Sequence, residues 1–149
     1  MDPRIKAGVI FAAPGVGNDG HLAAFASEHY PMMKYIDFSQ MATPALVVAG
    51  DKDLNLNFSD RLSYRSDAYT HSPSPKSLLT LFNADHILGG ISGYDASETT
   101  DENPDRVAVL RALVWAYLRS ELYPGETAWA DAITALHGRS NPIGTIESK

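Results

Sequence analysis

Cysteine is absent from this 149-residue chain, which excludes a disulfide framework, a thiolate zinc site and a cysteine nucleophile together, without naming a compartment. Positive charge is in short supply: 12 Lys+Arg stand against 18 Asp+Glu, a formal net charge of −6, and the basic residues form no cluster. Nucleic acid and anionic membrane are therefore not expected as partners. No apolar run approaches the roughly 18 residues that a membrane helix needs. The opening residues Met1-Asp2-Pro3-Arg4-Ile5-Lys6 lack the apolar core of a signal peptide, so the cytoplasm is the default expectation for location. The chain passes from Met1 almost directly into a strand-like apolar run, and so reads as starting inside a fold.

Against those absences, 44% hydrophobic and 20% charged residues fit a globular domain rather than a disordered chain. A chain of this length buries roughly two-thirds of its unfolded surface, so it needs neither a disulfide nor a metal to hold its core.

Three short, nearly continuous apolar runs, residues 5–13, 45–50 and 77–82, each end in turn residues, the pattern of strands covered on both faces. Helical patterns lie between them. Residues 21–30 are helical in part, and Phe58, Leu62 and Tyr69 share one face of a second helix. Strands alternating with helices about every 30 residues imply βαβ units and a parallel sheet. After a polar, glycine-rich loop over 89–103, Asn103 caps and Pro104 opens a helix with Val107, Leu110, Val114, Tyr117 and Leu118 on one stripe. A last helix carries Trp129, Ile133 and Leu136 and ends at Gly138. The fold class expected is α/β, a three-layer parallel sheet with flanking helices over residues 1–140, followed by a loose tail over 141–149.

Several motifs invite chemistry. Gly15, Gly17 and Gly20 match the G-x-G-x-x-G spacing that lets a pyrophosphate reach a helix N-terminus, and Asp37 lies where a ribose-binding acid belongs. However, residues 31–36 make a poor strand and Pro14 crowds the turn, so a nucleotide-binding module is the secondary alternative. Asp51, Asp53 and Asn55 begin like a calcium loop. Leu56 stands where that loop needs glycine and Leu62 where it needs glutamate, which excludes calcium. No cofactor or metal is expected.

Asp53 and His86 are a different matter. They lie 33 residues apart, one strand–helix–strand unit, so each falls just beyond the carboxyl end of its own strand. Neighbouring strands run about 5 Å apart, and open α/β sheets bind ligands at that carboxyl edge. His21, His29, His71 and His137 fall at helix ends or in loops and carry no comparable signal.

An acid followed by a histidine is the tail of the Ser…Asp…His order of α/β-hydrolases. The stretch Thr43-Pro44-Ala45-Leu46-Val47-Val48-Ala49-Gly50-Asp51-Lys52-Asp53 resembles that family's penultimate strand and acid turn. Asn83-Ala84-Asp85-His86 resembles its histidine loop, residues 4–15 the strand after its nucleophile elbow, and residues 106–122 its closing helix. The likeness covers residues 3–136 and is nearest to the dienelactone-hydrolase, chlorophyllase and acetylhydrolase-like branch. It implies the C-terminal half of a serine hydrolase, esterase-like, with Asp53 as triad acid, His86 as base and a small-molecule ester as substrate.

The departure is equally plain. No G-x-S-x-G elbow occurs; the nearest string, Gly90-Ile91-Ser92-Gly93-Tyr94, ends in tyrosine and follows the histidine. The resemblance thus implies a chain inactive by itself, completed by an N-terminal half in trans, or a non-catalytic remnant serving as an interaction domain. It also implies an uncovered edge at the first strand, hence a homo-oligomer or a complementing partner.

Overall fold

The computed structural model describes Asp2 and residues 4–149; Met1 and Pro3, at the start of the sequence-predicted domain, lie outside the described residues. Four strands form one sheet in the order β1 (Gly8–Phe11), β2 (Ala45–Gly50), β3 (Lys76–Leu81), β4 (Gly144–Ser148). The first three run parallel, with Val9 opposite Leu46 and Val47 opposite Leu78, and β4 runs antiparallel to β3. Helices flank the sheet: α1 (Ala24–His29), α2 (Asp67–Thr70), α3 (Pro104–Leu122) and α4 (Ala128–His137). The class is α/β with a mixed sheet.

All six residues of β2 are buried, which accounts for its unbroken apolar sequence. Alternation divides them between two cores. Leu46 and Val48, with Leu79 and Leu81 of β3, meet Leu110, Leu113 and Tyr117 of α3 and Leu136 of α4. Val47, Ala49 and Leu78 point the other way, onto Ala68 of α2 and Phe38, Met41 and Tyr69. α3 starts where Asn103 and Pro104 predict: the Asn103 Oδ1 accepts the Arg106 amide at 2.9 Å. Its buried stripe shares Leu110 and Tyr117 with the sequence reading, but Leu113 and Ala116 take the other deep positions.

Three expectations are corrected. Residues 144–148 are a strand, not part of a loose tail, and that strand makes the sheet mixed rather than wholly parallel. Ile146 is its one deeply buried apolar side chain, so the period-2 signal is faint in sequence. Backbone bonds in both directions between Lys76 and Lys149, at 3.1 and 2.9 Å, tie the chain's end to β3 instead. The helix expected around 58–69 is likewise a 3₁₀ turn, Leu62–Ser66, followed by the single-turn α2. Leu62 is exposed there, while Tyr64, Arg65 and Asp67 are buried. Ion pairs organise this segment more than an apolar stripe does: Arg61 Nη1 and Nη2 reach both oxygens of buried Asp67 at 3.1 and 2.6 Å.

Candidate active site

The turn after β2 carries Asp53 and the turn after β3 carries His86, and backbone bonds staple the two turns together. The Lys52 amide donates to the Ala84 carbonyl at 3.0 Å, and the Asp51 amide to the Leu81 carbonyl at 3.0 Å. Gly50 permits this approach. A Cβ there would stand 2.1 Å from the Ala84 carbonyl oxygen, well inside contact distance. Asn83 takes a left-handed φ of 52°, a conformation asparagine tolerates better than most residues, and so reverses the chain toward His86.

The stapled turns bring His86 Nδ1 to 2.9 Å from Asp53 Oδ2. The Asp53 side chain is 2% exposed and the His86 ring 54% exposed. An ionised carboxylate only accepts, so with a neutral ring the proton sits on Nδ1 and Nε2 keeps its lone pair. Nε2 bonds to nothing among the described residues. His86 lines a cleft of about 620 Å³ whose walls are largely apolar and include Phe11, Tyr30, Met33 and Phe58. It also lines a smaller, more polar cleft of about 370 Å³ with Lys52, Asp85 and Glu98. Asp51 takes no part in the pair, and its Oδ1 is buried without a hydrogen-bond partner.

Three residues that shape this site are not evident in the sequence reading. Arg65 places Nε 3.1 Å from Asp53 Oδ2, with both side chains almost wholly buried. Behind the histidine turn, Asp101 accepts the Asp85 amide at 2.9 Å, the Gly89 amide at 3.2 Å and Arg106 Nη1 at 2.6 Å. Arg106 Nη2 in turn donates to the carbonyls of Asn83 and Phe82 at 2.9 and 3.2 Å. One clue to this clamp was available: Arg106 is a cation in the first turn of a helix, where the macrodipole disfavours it unless an anion is near.

The other candidates lie apart from the pair. The glycine loop does not open directly into a helix, because α1 begins only at Ala24 and has six residues. A Cβ on Gly15 would meet the Asp67 carboxylate at 2.3 Å, and one on Gly17 the Met33 carbonyl at 1.8 Å. Those glycines thus accommodate the chain's own backbone and side chains, which is the physical reason the nucleotide alternative is not favoured. Asp37 is exposed and bonded to Ser39, whose amide and hydroxyl hold its carboxyl below the usual range. His21 Nδ1 lies 2.9 Å from Asp60, and His29 Nδ1 3.0 Å from the Phe25 carbonyl. Ser92 lines the cleft that His86 lines, in a turn bounded by positive φ at Gly90 and Gly93. It is not hydrogen-bonded to the ring.

No group of three or more His, Cys, Asp or Glu among the described residues is placed to hold a metal ion. No described helix is long and apolar enough to cross a membrane. Comparisons with protein-family models, with curated proteins and with solved structures gave no match to this chain.

Proposed function

We propose that this chain supplies the acid and base of a serine-hydrolase site acting on carboxylic esters, with the nucleophile contributed from outside the chain. The observation that carries the reading is the 2.9 Å contact between a buried Asp53 oxygen and His86 Nδ1, with Nε2 left open beside an apolar cleft. In that arrangement Nε2 removes the proton from an attacking hydroxyl as it adds to the ester carbonyl. Asp53 fixes the tautomer and stabilises the imidazolium, which then protonates the departing alkoxide. Water repeats the sequence on the acyl intermediate. The chemistry calls for no cofactor or metal.

The resemblance to the C-terminal half of an α/β-hydrolase supports the same reading, as does the succession of parallel strands with acid and histidine turns on one edge. The finer fold belongs to this proposal: a three-layer arrangement in which β1 adjoins the strand that bears the nucleophile. That edge is where the complementing segment, or a second copy of the chain, would pair.

Ser92 is the serine that lines the His86 cleft, so it provides the direct test. The chain is incubated with a fluorophosphonate, mapped by mass spectrometry, and assayed on p-nitrophenyl butyrate. We expect no labelled serine and a rate equal to that of His86→Ala. Labelling of Ser92 that disappears in His86→Ala would place the nucleophile inside this chain. Substantial turnover that survives His86→Ala would remove His86 from the chemistry altogether.

A further inference from the structure

Asp53 is a carboxylate removed from water, and its histidine partner is uncharged when it acts as a base. A buried negative charge facing a neutral ring lacks compensation, which is costly unless a cation stands by. The 3₁₀ turn Leu62–Ser66 provides one. Arg65 is 4% exposed, and its Nε lies 3.1 Å from Asp53 Oδ2, the same oxygen that His86 contacts. Its guanidinium carbon stands 5.7 Å from the Phe58 ring centre and 5.5 Å from that of Tyr64, so aromatic faces hold the cation in place. Among the described residues Asp53 is its only ion-pair partner. The Arg65 side chain also lines the cleft that His86 lines.

We propose that Arg65 is a positioning residue for the Asp53–His86 pair. It holds the carboxylate toward the ring and supplies the fixed positive charge that lets the imidazole rest in its neutral, proton-accepting form. The inference rests on the proposed role of His86 as a base. Arginine suits the task because it never gives up its proton and its delocalised cation is compatible with neighbouring aromatic rings. It acts through Asp53, not on a substrate. The other titratable or charged groups facing the ring are Lys52, Asp85 and Glu98 in the polar cleft and Tyr30 in the apolar one, and they are common to every variant below.

The test is the titration of the His86 ring protons by NMR in the wild-type chain and in Arg65→Met, Arg65→Lys and Asp53→Asn. Removing the cation leaves the imidazolium as the sole compensation for Asp53. The midpoint should therefore rise by about one pH unit or more in Arg65→Met, the size expected of one charge a few ångströms away in a partly screened site. Arg65→Lys, which keeps the charge, should stay within about half a unit of the wild type. Asp53→Asn should titrate lower, since the anion is gone. If Arg65→Met does not fold, Arg65→Gln takes its place with the same expectation. A wild-type midpoint in the neutral variant, or an equal rise in Arg65→Lys, would overturn the role of Arg65. An unchanged midpoint in Asp53→Asn would instead overturn the pair itself, so the two failures are distinct.

Discussion

A carboxylate can only accept hydrogen bonds, and at the scale of single residues that rule selects which nitrogen of His86 carries the proton. Similar local rules apply elsewhere. Tyr117 is buried among α3, α4 and the sheet, with its ring edge-on to Trp129 at 5.3 Å. Burial, reinforced by the charge of Glu121, raises its phenol above the ordinary tyrosine value. Tyr64 is shifted the same way, chiefly by burial. In the unfolded chain these phenols ionise near pH 10. Above that pH the unfolded state therefore holds fewer protons than the folded one, and stability falls as pH rises; below it they contribute no slope. Lys76 acts in the opposite sense, because burial and then Lys149 lower its ammonium value. Its contribution rises with pH up to about pH 10.5, the value for an unfolded lysine. Comparing Tyr117→Phe with the wild type cancels Lys76. We expect the variant to lose stability less steeply between pH 9 and 11, as read by urea unfolding at each pH, with Tyr64 still supplying part of the slope.

Elements set where those residues meet. The three parallel strands were legible because each is a short apolar run ended by turn residues, and burial on both faces leaves β2 no polar position. The Asp53–His86 contact was legible for a related reason: one βαβ unit between two turns brings their ends to the same edge. The start of α3 was equally plain in Asn103 and Pro104. What escaped was held by long-range polar contacts, which leave no period. β4 carries a single deeply buried apolar residue, and the 62–70 segment is organised by Arg61–Asp67 rather than by its apolar positions. The Asp101–Arg106 clamp joins the 89–103 loop, the first turn of α3 and the histidine turn, and only the misplaced cation hinted at it. Removing one member of a buried pair costs about 3–5 kcal/mol. Arg106→Met should therefore destabilise the fold by about that much in urea. It should also speed amide exchange at Asp85 and Gly89, whose acceptor Asp101 it frees. Slow exchange at those amides in the variant would show that the turn is held by other means.

At the scale of the whole molecule, the sheet has two edges of different character, β1 and β4. β4 presents exposed Thr145, Glu147 and Ser148, whereas β1 is apolar and its Phe11 is 40% exposed. Beside it runs a groove of about 930 Å³ between β1 and α3, lined by Phe11, Ile91, Val107, Leu110, Val114 and Trp115, with neither Asp53 nor His86 in it. At the C-terminal end of α3, Leu122 and the following Tyr123 are exposed as well. An open apolar edge without proline or a row of charges tends to recruit another strand. The isolated chain is therefore expected to self-associate at micromolar concentration. Light scattering should give a mass of two chains or more, and Phe11→Lys should shift it toward one. A monomeric mass for the wild type would mean that the edge is protected without a partner.

In the neutral ring, Asp53 holds the His86 proton on Nδ1 and leaves Nε2 bare beside the cleft. Nitrogen-15 correlation spectra of the histidine rings measure that directly, at a pH above the ring's titration. We predict that His86 shows the Nδ1–H tautomer, with an Nδ1 proton far downfield and slow to exchange, and that Asp53→Asn loses the downfield proton. An Nε2–H tautomer in the wild type, or a mixture like that of a free surface histidine, would contradict the account.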